Sequence, residues 1–301
     1  MTRGQHTDAS LRPGMDVTSV HLPGADVELH AVTAGSPDDP LVVLLHGFPE
    51  FWYGWHAQIQ PLVDAGFRVL VPDQRGYNLS EKPDRIASYR LETLSRDVRA
   101  LIKALGEESA HVVGHDWGGG VAWDVALRYP GVVDRLAICN APHPSVFRSH
   151  LRSDWRQIRK SLYILFFQLP AVPEWVLSRN EYDALWTAMT DQAEPGSFTP
   201  ADRHAYRRAW SQPGALSAML NWYRASFRYQ NQDTPPRERI SQPTLVIWGE
   251  QDFALRSEMA LESIEHCQSG RLERFPNVGH WITHDRPDAV SRLLVDHFTA
   301  E

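Results

Sequence analysis

Gly114-His115-Asp116-Trp117-Gly118-Gly119 follows the apolar run Ala110-His111-Val112-Val113 and opens a segment of helical spacing. In that segment Val121, Ala122, Val125, Ala126 and Tyr129 share one face, and Pro130 stands beyond its end. A strand, a sharp turn and a helix in this order lift one side chain clear of the backbone at the edge of a sheet. Glycines flank such a turn because the chain there is strained and crowded, and a Cβ would collide with its neighbours. The residue at the apex is Asp116. A carboxylate in that place suits attack on a saturated carbon carrying a leaving group, which leaves an alkyl ester of the protein. The competing reading makes Asp116 a helix N-cap, a common use of aspartate. The motif by itself leaves both open.

Outward from this turn, apolar runs at 41–45, 68–71, 110–114 and 133–139 alternate with helical patterns near 55–65 and 91–105, the second stopping at Gly106. Two earlier runs, 16–22 and 27–33, read as a hairpin joined at Pro23-Gly24. Such alternation predicts an α/β fold with a mostly parallel, doubly wound sheet and helices on both faces. After Asn140-Ala141-Pro142-His143-Pro144 it breaks. From 143 to 236 the spacing is helical and rich in aromatics, with five of the eleven tryptophans (Trp155, Trp175, Trp186, Trp210 and Trp222). A strand at 244–248, a helix at 257–267, a strand at 271–275 and a last helix from Pro287 resume the pattern. The expectation is one core domain, 1–142 with 237–301, interrupted by a helical cap at 143–236. That cap can be a packed subdomain, a lid with an apolar underside, or both.

At 301 residues the chain is long enough to bury a full core. A formal net charge of −7 argues against a nucleic-acid partner. No apolar segment reaches the roughly 18 residues that a membrane span needs. The N-terminus, Met1-Thr2-Arg3-Gly4-Gln5-His6-Thr7-Asp8, lacks the apolar core of a signal peptide. Two cysteines, Cys139 and Cys267, do not make a disulfide framework, so a cytoplasmic location is expected. Cys139 ends an apolar run and reads as core packing.

An ester on Asp116 needs a base to activate the water that cleaves it, and that base needs an orienting partner. Trp248-Gly249-Glu250-Gln251-Asp252 leaves its strand with carboxylates in the next loop, and Asn277-Val278-Gly279-His280-Trp281 places a histidine in the loop after that. The order Asp116, Asp252, His280 reproduces the nucleophile, acid, histidine order of α/β-hydrolases. Glu250 competes with Asp252, but the apolar Phe253-Ala254-Leu255 that follows suits an inward-facing Asp252. In Leu44-Leu45-His46-Gly47-Phe48-Pro49 a buried strand runs into a turn, and the N–H groups of Phe48 and Trp117 are expected to form an oxyanion hole. His46, Pro49 and Trp281, next to these residues in sequence, are expected to line the substrate pocket.

With these residues in hand, the chain resembles the soluble epoxide hydrolases of the α/β-hydrolase fold over nearly its whole length. The resemblance is carried by His46-Gly47-Phe48-Pro49-Glu50-Phe51-Trp52-Tyr53, Asp73-Gln74-Arg75-Gly76-Tyr77, the Asp116 turn, Gly249-Glu250-Gln251-Asp252 and Gly279-His280-Trp281. It implies two further site residues: Tyr163, in Tyr163-Ile164-Leu165-Phe166-Phe167-Gln168, and Tyr223, in Asn221-Trp222-Tyr223-Arg224, resemble the paired lid tyrosines of that family. Two phenols facing Asp116 would hold and protonate the oxygen of an opening epoxide without a metal or cofactor. The implied partners are a small apolar epoxide and water, with a homo-oligomer left open. One departure is Asn78, where a glycine is frequent; asparagine tolerates the left-handed backbone such a turn needs.

The rival on the same fold is a haloalkane or haloacid dehalogenase, which also uses an aspartate. Haloalkane dehalogenases usually carry Asn after the His-Gly pair, where this chain has Phe48, and fluoroacetate dehalogenases carry Arg after the nucleophile, where it has Trp117. A ligand-binding protein on a retired hydrolase scaffold is a further alternative, but it would be expected to have lost one of these groups.

Overall fold

The computed structural model describes residues 16–300, and the N-terminal stretch read above for a signal peptide lies outside them. Eight strands form one sheet: β1 (Thr18–Pro23), β2 (Glu28–Ala34), β3 (Leu41–Leu45), β4 (Arg68–Pro72), β5 (Ala110–His115), β6 (Val133–Cys139), β7 (Ile240–Gly249) and β8 (Cys267–Phe275). Their spatial order is β1-β2-β4-β3-β5-β6-β7-β8. The β1–β2 hairpin and the β2–β4 pair are antiparallel, and every pairing from β4 through β3 to β8 is parallel. Every residue of β3 is buried, which explains its unbroken apolar run: a strand covered on both faces has no polar side to alternate with.

The helices of this sheet are α1 (His56–Asp64), α2 (Leu91–Ala104) and α3 (Trp117–Arg128). From β3 the chain crosses through α1 to β4 on one side, whereas from β5 it crosses through α3 to β6 on the other. Right-handed crossovers in opposite directions put α1 and α3 on opposite faces and open a crevice beyond the C-terminal ends of β3 and β5. The turns holding Phe48 and Asp116 leave the sheet at that crevice.

Between β6 and β7 the chain is helical: α4 (Pro144–Ser153), α5 (Trp155–Lys160), α6 (Leu162–Phe166), α7 (Val172–Thr190), α8 (Pro200–Trp210) and α9 (Ala215–Tyr229). Non-helical backbone at Arg179–Tyr182 breaks α7 in two. This insertion is tied to the sheet side by buried contacts. Trp222 Nε1 donates to Arg75 O at 3.0 Å, and Tyr53 Oη donates to Asp202 at 2.7 Å. After β7 come α10 (Glu258–Ile264), α11 (Ile282–Asp285) and α12 (Pro287–Thr299), the last packed against α1.

The boundaries of the last two strands differ from the sequence reading: β7 begins at Ile240, four residues before the expected start. Cys267 does not end a helix but begins β8, paired with Ile240. β8 is an edge strand whose second to fifth residues are exposed, so the apolar signal that marks the inner strands is missing there. Both cysteines are free and buried, and burial pushes the Cys139 thiol up to about 12 and the Cys267 thiol up to about 11. Among the described residues no helix is long and apolar enough to cross a membrane.

Candidate active site

Asp116 occupies the position before α3, but its side chain makes no capping hydrogen bond there. Its backbone is left-handed, at φ 49°, a strain that persists only where the surroundings hold it. They do so by close approach. A Cβ on Gly118 would stand 2.1 Å from the Leu45 carbonyl oxygen, so α3 starts directly against β3. A Cβ on Gly47 would stand 2.5 Å from Asp116 Cβ, which brings the Phe48 turn under the carboxylate. Phe48 N–H then donates to Asp116 Oδ2 at 2.9 Å. The N-cap alternative is thereby set aside: the carboxylate points at the Phe48 turn and not at its own helix.

Asp116 Oδ1 lies 3.8 Å from His280 Nε2. His280 Nδ1 is 2.7 Å from Asp252 Oδ2. Asp252 is fixed in turn: Oδ1 accepts from Ala254 N at 2.7 Å and Leu255 N at 2.9 Å, and Oδ2 accepts from Asn140 Nδ2 at 2.7 Å. Burial alone would raise the Asp252 carboxyl, but the charge and hydrogen bond of His280, with Asn140, hold it below its usual value. Burial likewise pushes His280 down, and the adjoining Asp252, with help from Asp116, more than reverses this to about 9. Glu250 turns instead to an ion pair with Arg274.

A cavity of about 210 Å³ opens over Asp116. Its wall includes Trp117 and Leu94 from the sheet side and Phe147, Tyr163, Ile164 and Tyr223 from the insertion. The Tyr163 and Tyr223 rings meet edge to face at 5.9 Å, and Trp117 meets Tyr223 at 5.1 Å. Burial raises both phenols, and the negative charge of Asp116 raises each further. Both tyrosines therefore stand within electrostatic reach of the carboxylate.

His46, Pro49 and Trp281, like Phe48 and His280, are not among the residues that line this cavity. His46 is buried under the turn: its Nδ1 contacts Gly47 O at 2.9 Å and its Nε2 accepts from Gln74 N at 3.1 Å. The Pro49 carbonyl accepts from Trp210 Nε1 at 2.6 Å. Trp281 packs edge to face on the His280 ring at 4.9 Å. Nearness in sequence to a site residue does not carry a side chain into the cavity when the backbone turns there.

Two buried residues escaped the sequence reading as site components. Asn140, left-handed at φ 41°, clamps Gly249 as well as Asp252, accepting from Gly249 N at 2.9 Å. Glu50 takes Tyr206 at 2.9 Å and His284 at 2.7 Å on Oε1 and His115 at 3.1 Å on Oε2, while His115 Nε2 reaches His280 O at 2.9 Å. Burial raises the Glu50 carboxyl, but the bonds from His115 and His284 hold it well below the ordinary range. The available signals were an asparagine closing a buried strand and a carboxylate inside an aromatic turn. Asp73 and Arg75 act elsewhere: buried Arg75 binds Asp97 at 2.8 Å, and Asp73 accepts from Asn78 Nδ2 at 2.8 Å, with Asn78 left-handed as its identity allows.

Comparison with known proteins places these features in context. A family model described as alpha/beta hydrolase fold matches residues 40–287. The AB hydrolase superfamily protein YfhM of Bacillus subtilis (strain 168) is 47% identical over 271 residues, covering 90% of this chain and 94% of the relative. Epoxide hydrolase 1 of Caenorhabditis elegans is 38% identical over 274 residues, covering 89% of this chain and 67% of the relative. The crystal structure of a Bacillus megaterium epoxide hydrolase in complex with an inhibitor superposes with a TM-score of 0.86 at 31% identity, covering 93% of this chain and 100% of that one.

Proposed function

Because the chain belongs to the epoxide hydrolase family of the α/β-hydrolase fold, we propose that it adds water to an epoxide and releases a vicinal diol through a covalent ester on Asp116. In this reading residues 1–142 and 237–301 are the core domain and residues 143–236 its cap. Asp116 Oδ1 attacks a ring carbon, the ring C–O bond breaks, and the departing oxygen takes a proton from Tyr163 or Tyr223. Phenols raised by burial keep their proton until an alkoxide, the stronger base, forms beside them. Oδ2, already held by Phe48 N–H, becomes the ester carbonyl oxygen.

Water then gives a proton to His280 and adds to Cγ of Asp116. The N–H groups of Phe48 and Trp117 receive the charge that builds on Oδ2. The Cγ–Oδ1 bond breaks, the remaining proton of the added water passes to Oδ1, and the diol departs with that oxygen, leaving Asp116 a carboxylate and His280 protonated as in the resting site. The raised pKa of His280 fits this order. In the resting site Asp252 and Asp116 both favour its protonated form. Once Asp116 is an ester it carries no charge and one of the causes of the rise is gone, so His280 gives its proton to the phenolate left by ring opening and is then free to act as the general base.

The observation that carries an epoxide over a halide is the pair Tyr163 and Tyr223 facing the same cavity as Asp116. A halide leaves as a stable anion and needs no acid, whereas an alkoxide does. The test is turnover of aryl and aliphatic epoxides against haloalkanes on purified protein, with the double variant Tyr163→Phe, Tyr223→Phe alongside. Epoxide opening should dominate and should fall by roughly a hundredfold or more in the double variant. Faster halide release by the wild type, or full epoxide activity in the double variant, overturns the reading.

A further inference from the structure

Of the eleven large apolar side chains that stand exposed among the described residues, eight lie between 155 and 175. Trp155 is 65% and Trp175 61% exposed. Along α5 and α6, Trp155, Ile158, Leu162 and Leu165 recur three or four residues apart, a spacing that puts them in one stripe. Gln157 and Ser161, on another side of the same turns, are buried and hydrogen-bonded to each other. The stripe therefore faces away from the protein. An apolar surface of this extent on a soluble domain marks an interaction site.

Its charge says what kind. In a chain of net charge −7, residues 148–179 carry six lysines and arginines against Asp154 and Glu174. Both acids are already engaged by cations from elsewhere: Arg256 is 3.2 Å from Asp154, and Arg224 is 2.8 Å from Glu174. Arg152, Arg156 and Arg159 are exposed beside the stripe. Arg156 and Arg179 lie over the rings of Trp155 and Trp175 at 5.7 and 4.5 Å. Apolar and aromatic side chains flanked by unpaired arginines make a surface that sinks its apolar ridge into a bilayer's headgroup boundary while the cations meet anionic lipid. A second copy of the chain fits less well, because a self-paired face would bring this basic rim against itself.

We propose that the α5–α7 face docks on anionic lipid surfaces. Tyr163 and Phe227 belong both to the exposed apolar set and to the cavity wall, so the mouth of the cavity opens beside the docking face. An apolar substrate dissolved in lipid would thus reach Asp116 without crossing water. This last consequence rests on the epoxide hydrolase reading; the docking itself does not.

Co-sedimentation of the full chain with vesicles of phosphatidylcholine alone, or of phosphatidylcholine with phosphatidylglycerol, tests the proposal. Binding should be confined to the anionic vesicles and should weaken as salt is raised. Arg152→Glu with Arg156→Glu and Arg159→Glu, and separately Trp155→Ser with Leu165→Ser and Trp175→Ser, should each lower vesicle affinity by at least about tenfold. Both variants should keep wild-type turnover of a water-soluble epoxide, which separates loss of docking from loss of the active site. Equal binding of wild type and variants, or no binding to either vesicle, overturns the proposal. So does a stable wild-type dimer by light scattering that the serine variant converts to monomer, since a second copy then covers the face.

Discussion

At Asp116 the charge of one carboxylate adds to that of Asp252 in favouring the proton on a neighbouring residue. Because Asp116 is among the causes that raise His280 to about 9, Asp116→Asn should lower the His280 pKa, read by NMR titration of the ring; an unchanged value would detach the two residues. His280→Gln should leave ring opening in place and stop ester cleavage, cutting turnover by roughly a thousandfold. Mass spectrometry should then find the protein heavier by the mass of the epoxide, and an absence of adduct argues against a two-step path. The residues at strand ends, Asp116, Asp252 and His280, were legible because the loops that hold them follow readable strands, and the structure brings them together. Glu50 and Asn140 were not, since Glu50 meets His115 across 65 residues and Asn140 meets Asp252 across 112. Nothing local in the sequence records a pairing at that range.

Among elements, the approach of α3 to β3 and the end of β6 control the site. Gly118→Ala puts a methyl group against the Leu45 carbonyl, a backbone atom that cannot swing away, and should cost at least about 2 kcal/mol in urea unfolding. Asn140→Gly keeps the left-handed backbone but removes the clamp on Asp252. It should cost about 2 kcal/mol and lower turnover, with substrate binding little changed. Equal stability in that variant would mean that the Asp252 loop holds itself. The central strands were readable as unbroken apolar runs because both faces are covered. β8 was readable only in its second half, since an exposed edge strand carries no such run.

For the whole molecule, buried histidines set a pH window. His280 is raised from 6.5 to about 9, so the stability it contributes is complete below pH 6.5 and is lost as pH rises through 9. Burial lowers His143 to about 3 and His297 to about 4, so their contribution is complete above pH 6.5 and fades as pH falls towards those values. Urea midpoints should therefore peak near pH 6.5, and His280→Gln should flatten the alkaline limb alone. An alkaline limb that survives the substitution would assign it to another group. The proposed chemistry is divided between two parts of the chain. Asp116, Asp252 and His280 stand on loops of the sheet, whereas Tyr163 and Tyr223 arrive on the segment between β6 and β7. Descent can therefore revise the two halves separately. Under the proposed mechanism, exchanging the inserted helices would change which bond is opened and keep the residues that clear the ester, so new substrates would be within reach of changes that leave the sheet untouched.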